Sequence, residues 1–332
     1  MAGADMVGAN SVEKLEDVIV RSAEQVAGQI RAAKEAISTV IFGQEKVVEN
    51  TLVTILSGGH ALLIGVPGLA KTKLVETLGI TLGLDAKRVQ FTPDLMPSDI
   101  LGAEVLDESS AGKRSFRFIS GPVFAQLLMA DEINRASPRT QAALLEAMGE
   151  GMVTMDRTSY RLERPFMVMA TQNPIDQEGT FRLPEAQMDR FLIRLSLGYP
   201  SATQEKEMCL RVQQQHPLET LKPVTTADEI LKCQRGVRHI PLGPDICDYL
   251  VGLTRATREH PALRLGASPR GSLGLFHTAQ ALAAIQGSAS VSIEHIKAIA
   301  VPVLAHRLLV RNETSKDYPD GAAVIQEILA KT

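Results

Sequence analysis

The stretch ALLIGVPGLAKT, from Ala61 to Thr72, decides the fold predicted for this chain. An apolar run is followed by a loop of glycine and proline, and then by the helix-forming segment KTKLVETLGITLG. Phosphate-binding loops of the form G-x-x-x-x-G-K-[ST] require this strand–loop–helix order, and the chain departs from that form only at Ala70. The stretch therefore predicts an α/β domain with a phosphate-binding loop. The alternative is an incidental Gly-Pro turn before a lysine.

Each part of the predicted loop has an expected role. Successive backbone N–H groups and the positive end of the following helix can hold phosphate oxygens, Lys71 can reach the outer phosphates, and the Thr72 hydroxyl can ligate Mg²⁺. We expect Ala70 to be tolerated because the chain should already be helical there, with φ near about −60°, so that only Gly68 is obligatory as glycine. The expected nucleotide-binding residues of the loop are Gly65, Val66, Pro67, Gly68, Leu69, Ala70, Lys71 and Thr72.

Short apolar runs continue after the loop and alternate with helical stretches. They are RVQFTP, QLLMADE, PFMVMATQNP and RFLIRLSLGYP. Such runs, bounded by Gly, Pro, Asp or Asn and separated by helices, predict a mostly parallel sheet covered on both faces. Ligands of these sheets bind beyond the carboxyl ends of the strands.

The remaining segments predict inserts and flanking helices. AEVLDESSAGKRSFRF and GMVTMDRTSYRLERPF each predict a β-hairpin, which either decorates the sheet or reaches a partner. Apolar residues from Ser11 to Ile37 recur at helical spacing, which predicts an amphipathic helix that packs on the body or binds a partner, and a second helix is expected from Gln44 to Leu56. After Pro200 only helices are predicted, so we place a domain boundary there.

An acidic pair follows one of the apolar runs. Asp131 comes directly after the run Leu127–Ala130, where it can hold Mg²⁺, usually through water, and Glu132 can polarise an attacking water. The alternative is that both residues only cap the following helix, SPRTQAALLEAMG.

Polar and basic residues complete the candidate site. Asn173 ends the strand-like run MVMATQ and can hydrogen-bond a water or the γ-phosphate, although Asn before Pro is also a common turn. Arg190 and Arg270 follow turn signals and can compensate charge on a transferred phosphoryl group. Arg135 and Arg139 are further candidates, and any of the four can instead be a solvated surface residue.

Composition excludes several classes of function. Lys and Arg total 35 against 38 Asp and Glu, a net charge of −3, and 4% of residues are aromatic, so neither a general attraction to nucleic acid nor a stacking surface for bases is expected. The three cysteines lack paired metal or redox spacing. We expect reduced thiols in a cytoplasmic protein without membrane insertion, since the sequence has neither a signal peptide nor an apolar span of about 20 residues.

Five blocks of the sequence together resemble the MoxR family of AAA+ ATPases. They lie between about Val40 and about Leu309 and read GVPGLAKT, QFTPDLMPSDILG, GPVFAQLLMADEINRASPRTQAALLEAM, ATQNPIDQEGTFRLPEAQMDRFL and GASPRGSL. The resemblance implies an AAA+ αβα nucleotide-binding domain with a parallel sheet and hairpin inserts, followed by an all-α lid. Together with the helix predicted near the N-terminus and the boundary near Pro200, the expected domains are an N-terminal helical extension (1–36), the ATPase core (37–199) and the lid (200–332). It also implies a homo-oligomeric ring, usually hexameric, with ATP between subunits.

The resemblance assigns roles residue by residue. Members of the family have Ala before the loop lysine, as here. The implied roles are nucleotide contact for Lys71 and Thr72, metal binding for Asp131, general base for Glu132, first sensor for Asn173, arginine finger for Arg190, second sensor in cis or in trans for Arg270, and packing around adenine for Gly43 and Gln44.

The expected function is Mg²⁺-dependent ATP hydrolysis. The resemblance adds its purpose, the remodelling or maturation of a protein client, chaperone-like, with a von Willebrand factor A-domain partner and metal-cofactor insertion as possibilities within the family. The alternatives are a motor stimulated by nucleic acid and an ATP-controlled scaffold with negligible turnover.

Overall fold

A computed structural model describes residues 26–108, 114–155, 158–174, 180–212, 217–311 and 317–332. The chain divides into two compact units. We call Ile37–Val48 with Gly58–Ala227 the sheet unit. We call Glu49–Ser57 and Asp228–Thr332, with the described part of Met1–Ala36, the helical unit.

The sheet unit is built on five parallel strands. The strands of this unit are β1 (Ala61–Ile64), β2 (Ala86–Gln90), β3 (Gly102–Glu108), β4 (Arg114–Ser120), β5 (Leu127–Asp131), β6 (Met152–Met155), β7 (Thr158–Arg161), β8 (Met167–Gln172) and β9 (Ile193–Ser196). The sheet has the order β2-β5-β8-β1-β9. Each of the five apolar runs identified in the sequence forms one of its strands, which confirms the predicted α/β fold. All five residues of β5 are buried, because this strand has a neighbour on each side and apolar side chains on both faces.

The helices before residue 221 are, in chain order, the helical residues 26–38 (α1), α2 (Glu45–Ser57), α3 (Lys71–Leu82), α4 (Pro97–Leu101), α5 (Pro138–Glu150), α6 (Glu185–Met188), α7 (Ala202–Val212) and α8 (Pro217–Thr220). Of these, α1 as far as Ala36 and α2 from Glu49 onward belong to the helical unit, and the others belong to the sheet unit. The N-terminal segment predicted as a helix from Ser11 lies partly outside the described residues. Within the described part Val26, Ile30, Ala33 and Ile37 are buried, the arrangement of a helix packed on the body.

Both predicted hairpins are present. β3 pairs antiparallel with β4, and β6 pairs antiparallel with β7. The expected turns at residues 109–113 and 156–157 lie outside the described chain. The rings of Phe118 and Tyr160 stack with centroids 4.1 Å apart, so the two inserts pack on each other.

The helical unit contains α9 (Ala227–Val237), α10 (Pro244–Glu259), α11 (Pro269–Ile285), α12 (Ile293–Leu304) and α13 (Gly321–Lys331). The prediction of helices alone missed one short antiparallel pair, β10 (Leu263–Leu265) with β11 (Leu309–Val310). Strands of this length carry no periodic signal in the sequence. The boundary expected at Pro200 falls inside the sheet unit, where the Val224 N–H donates to the Thr81 carbonyl at 2.9 Å. None of the described helices combines the length and apolar character that a bilayer crossing demands.

Candidate functional site

Three central strands deliver the candidate residues to one edge of the sheet. β1, β5 and β8 are parallel neighbours, with Ile64 beside Gln172 and Ala130 beside Ala170. The loop begins after β1, Asp131 is the last residue of β5, and Asn173 follows β8. The carboxyl ends of parallel strands form the ligand-binding edge of such a sheet.

The loop from Gly65 to Ala70 folds back onto the lysine that follows it. Lys71 Nζ donates a 2.7 Å hydrogen bond to the Gly65 carbonyl. Burial lowers the pKa of Lys71, and the charges of Asp131 and Glu132 oppose that shift. Gly68 has φ +85° with open space around the position of an added Cβ, so its glycine is required by backbone conformation, as expected from the sequence.

Ala70 contradicts the backbone conformation expected for it. Its φ and ψ are 56° and 23°, in the left-handed region, and α3 begins only at Lys71. The expectation of φ near about −60° was therefore wrong, because the chain turns through a left-handed residue before it becomes helical. This conformation costs an L-residue roughly 1–2 kcal/mol. Ala70 therefore fits at this position only with backbone strain, since the position is not helical.

Asp131 is a buried carboxylate held by two donors. The residue is 8% exposed. Oδ1 accepts a 2.6 Å hydrogen bond from the Thr171 hydroxyl, and Oδ2 forms a 2.6 Å ion pair with Arg88 on β2. Hydrogen bonds of this charge-assisted kind fix the carboxylate in position.

Glu132 is held in an unusual backbone conformation. It has φ 55° and ψ 49°, and its N–H donates to Thr171 Oγ1 at 2.8 Å. Its Oε2 accepts hydrogen bonds of 2.9 Å from Gln90 Nε2 and from Arg135. Left-handed residues other than glycine concentrate at functional sites, where neighbouring contacts maintain them.

The other predicted residues have different surroundings. Asn173 is 6% exposed and directly follows β8. Arg190 donates a 2.6 Å hydrogen bond to the Leu145 carbonyl of α5 and packs against Gly149. Arg139 is exposed on the first turn of α5. Arg270 is exposed in the first turn of α11, in the helical unit.

Gly43 and Gln44 belong to the sheet unit and contact the segment after β9. Gln44 Nε2 donates to the Gly198 carbonyl at 2.8 Å. Gly43 has φ +70°, and a Cβ there would lie 2.6 Å from the side chain of Gln204. The positive φ favours glycine at this position, and a larger residue would in addition displace the end of the Gln204 side chain.

Three residues of the site were not assigned from the sequence. Thr171 bridges the acidic pair, while Arg88 and Gln90 reach that pair from β2. Arg88 and Gln90 are two residues apart on one strand, so the sequence already placed both side chains on the same face of the sheet. The sequence did not reveal that β2 lies beside β5, which brings these side chains to the acidic pair.

The donor set fits a magnesium ion bound together with a nucleotide. Thr72 is the second residue of α3, and Asp131 supplies carboxylate oxygen at the neighbouring strand end. Within the described ranges no group of three or more His, Cys, Asp or Glu residues could hold a metal unaided. Mg²⁺ is typically held by one or two protein oxygen ligands together with phosphates, and this arrangement needs no larger protein cluster.

Comparisons with known proteins match the geometry. A model of the ATPase family associated with various cellular activities (AAA) matches residues 60–193, and an AAA lid domain model matches residues 255–328. The chain is 37% identical to Chaperone MoxR1 of Mycobacterium tuberculosis, over 98% of this chain and 89% of that protein. It is 42% identical to the Bacillus subtilis protein YeaC, over 90% of this chain and 92% of that protein.

A solved structure covers both units. The crystal structure of a candidate ATPase from Cytophaga hutchinsonii matches with a TM-score of 0.86 and 34% identity, over 98% of each chain. Similarity at this level, across nearly the whole length of a protein named MoxR1, confirms the resemblance found in the sequence. The chain belongs to the MoxR family of AAA+ ATPases.

Proposed function

We propose that this protein hydrolyses ATP with Mg²⁺ and uses the energy to remodel a protein client. The observation that carries the proposal is the Thr171 hydroxyl, which joins Asp131 and Glu132 within hydrogen-bond distance beside the strand that leads into the Lys71 loop. A metal-site carboxylate and a general base, held together at the carboxyl edge next to a phosphate loop, are the parts that phosphoryl transfer to water requires.

The proposed roles follow from what each side chain can donate or accept. The backbone of Gly65–Ala70 and the Lys71 ammonium bind phosphate oxygens, and Thr72 and Asp131 hold Mg²⁺. The metal, when bound, neutralises charge on the phosphates. Glu132 accepts a proton from the attacking water, and Asn173 orients that water or the γ-phosphate. Gly43 and Gln44 are proposed to contact adenine.

The first test is Glu132→Gln, which keeps the shape of the side chain but removes the base. We expect turnover to fall by about 10²- to 10⁴-fold while ATP still binds. Glu146→Gln, at an exposed glutamate on α5, is the matched control and should hydrolyse ATP like the wild type. Absence of ATP turnover in the wild type, or equal rates in Glu132→Gln and wild type, would sink the proposal.

Ring assembly is the second part of the proposal. Arg190 is proposed to act as the arginine finger for a neighbouring subunit, and Arg270 as the second sensor. If so, specific activity rises with protein concentration, and Arg190→Ala binds ATP but hydrolyses it at least about 10³-fold more slowly. A monomer of full activity at every concentration would contradict a finger supplied in trans.

The client is proposed to be a protein, with a von Willebrand factor A-domain protein as the candidate partner. Support comes from a relative named as a chaperone, MoxR1, and from the net charge of −3, which gives no electrostatic reason to bind DNA. Glu132→Gln incubated with ATP should retain the client, and the same variant with ADP is the control. Stimulation of turnover by DNA that disappears with added salt would favour the nucleic-acid motor instead.

The proposed compartment is the cytoplasm. Support comes from Cys209, Cys233 and Cys247, which are far apart in the sequence and lack the paired spacing of a metal or redox site.

A further inference from the structure

The side chain of Arg190 lies against the C-terminal end of α5 in the same chain. Its Nη1 donates a 2.6 Å hydrogen bond to the Leu145 carbonyl, and the guanidinium also contacts Gly149, in the last turn of α5. The dipole of a helix favours a positive group at this end. Because the hydrogen-bond partner is a neutral carbonyl, this contact holds the guanidinium without compensating its positive charge.

Gly149 leaves the space that the guanidinium occupies. A Cβ built at this position would lie 2.4 Å from Arg190 Nη1 and 3.5 Å from Cζ. A side chain of any size at residue 149 would therefore displace the end of the arginine. The displaced atoms are the flexible end of a side chain, so the backbone of α5 need not move.

The main chain around Arg190 is fixed by separate contacts. The Arg190 N–H donates to the Gln187 carbonyl at 3.1 Å, and Phe191 is fully buried. The Leu192 N–H donates to the His60 carbonyl at 2.8 Å. Loss of the contact with α5 would therefore change where the guanidinium points and not where the chain runs.

An arginine near the end of a helix commonly serves only to stabilise that helix. For that purpose a glycine in the last turn is a poor choice, because alanine stabilises a helix more than glycine does. In this chain the glycine provides the space for the arginine. The pairing of Gly149 with Arg190 therefore favours a role in placing the guanidinium.

We infer that Gly149 is a positioning residue, which lets α5 hold the Arg190 guanidinium in a fixed direction for a neighbouring subunit. A guanidinium carries five N–H donors in a rigid fork, and a contact through Nη1 leaves Nε and Nη2 to meet phosphate oxygens. A donor fixed in advance needs no ordering when the reaction occurs. This inference rests on the proposed function, because it takes Arg190 as the arginine finger.

The first experiment compares ATP turnover with nucleotide binding in Gly149→Ala. Turnover at saturating ATP should fall by about 10- to 100-fold, since a small misplacement of a catalytic group has an effect of this size. Binding of a fluorescent ATP analogue should be unchanged, and so should the urea midpoint, because alanine is favourable in a helix. Glu146→Ala, at an exposed residue of the same helix, is the control and should turn over ATP like the wild type.

Two results of this experiment bear directly on the direction of the effect. In an Arg190→Ala background, Gly149→Ala should have no further effect on turnover, because the side chain that it displaces is already absent. Faster turnover in Gly149→Ala than in wild type would show that α5 restrains Arg190 from acting, and would overturn the inference.

A second experiment isolates the donated arginine from the subunit's own site. Arg190→Ala keeps its base but lacks the finger, and Glu132→Gln keeps its finger but lacks the base, so mixing the two should restore turnover. Glu132→Gln/Gly149→Ala as the donor should restore about 10-fold less turnover than Glu132→Gln, whereas Glu132→Gln/Glu146→Ala should restore as much. Because all three donors lack the base, an effect of Gly149→Ala on the donor's own site cannot account for the difference.

The outcomes separate this inference from the proposed function. If the mixture restores turnover and the donor with Gly149→Ala restores as much as Glu132→Gln, only the inference is overturned. If the wild type hydrolyses ATP but the mixture restores nothing, Arg190 is not a finger supplied in trans, and that part of the proposed function fails together with the inference. If the wild type hydrolyses no ATP, the whole proposed function fails and the inference fails with it.

Discussion

The hydroxyl of Thr171 donates a 2.6 Å hydrogen bond to Asp131 Oδ1, across the boundary between β8 and β5. The same oxygen accepts the Glu132 N–H at 2.8 Å, and Thr171 is fully buried. One side chain therefore fixes both the orientation of a carboxylate and the left-handed backbone of its neighbour. Because Thr171 belongs to a different strand, the acidic pair is positioned by the sheet and not by its own loop.

Thr171→Val should destabilise the protein by about 1–3 kcal/mol, because it keeps the shape of the side chain but leaves a buried acceptor and a buried donor unpaired. Urea unfolding measures the loss, and ATP turnover should fall as well, since the proposed base is then less firmly placed. Thr171→Ser retains the hydroxyl and should recover most of the turnover. If the Ser and Val variants lost the same amount of stability and turnover, packing of the Thr171 methyl group, and not the hydrogen-bonded bridge, would be what stabilises the site.

Lys71→Ala should weaken ATP binding by at least about 10-fold, because a charge-assisted contact with phosphate contributes roughly 1.5–3 kcal/mol. Binding of a fluorescent nucleotide measures the effect. The matched control is Lys73→Ala, two residues further along α3, where the side chain pairs with Glu76 at the surface. Normal ATP binding by Lys71→Ala would show that the loop had been misinterpreted.

A histidine far from the proposed chemistry should make stability depend on pH. His60 precedes β1; its Nδ1 accepts the Val168 N–H at 3.0 Å, so Nε2 carries the proton and donates to the Met148 carbonyl at 3.2 Å. Burial lowers the pKa of His60 to about 4, against 6.5 for the ordinary side chain. The unfolded chain therefore takes up the proton first as the pH falls.

The direction of the pH dependence follows from the difference between the pKa of His60 in the folded protein and in the unfolded chain. His60 contributes full stability above about pH 6.5, and the contribution is lost as the pH falls toward about 4. Between about pH 7.5 and about pH 5 the loss from this one group is about 2 kcal/mol. Unfolding of His60→Gln at both pH values should show a smaller change by that amount, whereas His239→Gln, at an exposed histidine, should behave like the wild type. An identical pH dependence in all three proteins would contradict a neutral His60.

Local sequence pattern predicted the residues that lie along single elements. β1, β5 and β8 are apolar runs bounded by turn residues, whereas β2 is mostly polar and exposed. Asp131 is the last residue of β5 and Asn173 follows β8, so chain order alone places both at strand ends. The contacts of Arg88 and Gln90 with the acidic pair depend instead on the lateral order β2-β5-β8. Only long-range pairing sets that order, and no local period reports it.

Ala70 shows a second limit of sequence reasoning. The helix-forming residues after the loop suggested that the helix already includes Ala70, whereas α3 begins one residue later, at Lys71. Helix propensity describes residues inside a helix and does not report the left-handed residue that precedes this one. We expect the substitution Ala70→Gly to change ATP binding little, because glycine adopts the same left-handed backbone without strain.

The backbone of Ala70 can be tested by the order of stabilities among three side chains. At φ 56°, glycine avoids a cost of roughly 1–2 kcal/mol but loses about 0.5–1 kcal/mol to the greater freedom of the unfolded chain, so Ala70→Gly should be equal to wild type or up to about 1.5 kcal/mol more stable. Ala70→Val should be the least stable, because a β-branched residue is disfavoured with positive φ. A helical Ala70 would give another order in urea unfolding, with Ala most stable, Val next and Gly last. Finding that second order would mean that α3 begins before Lys71.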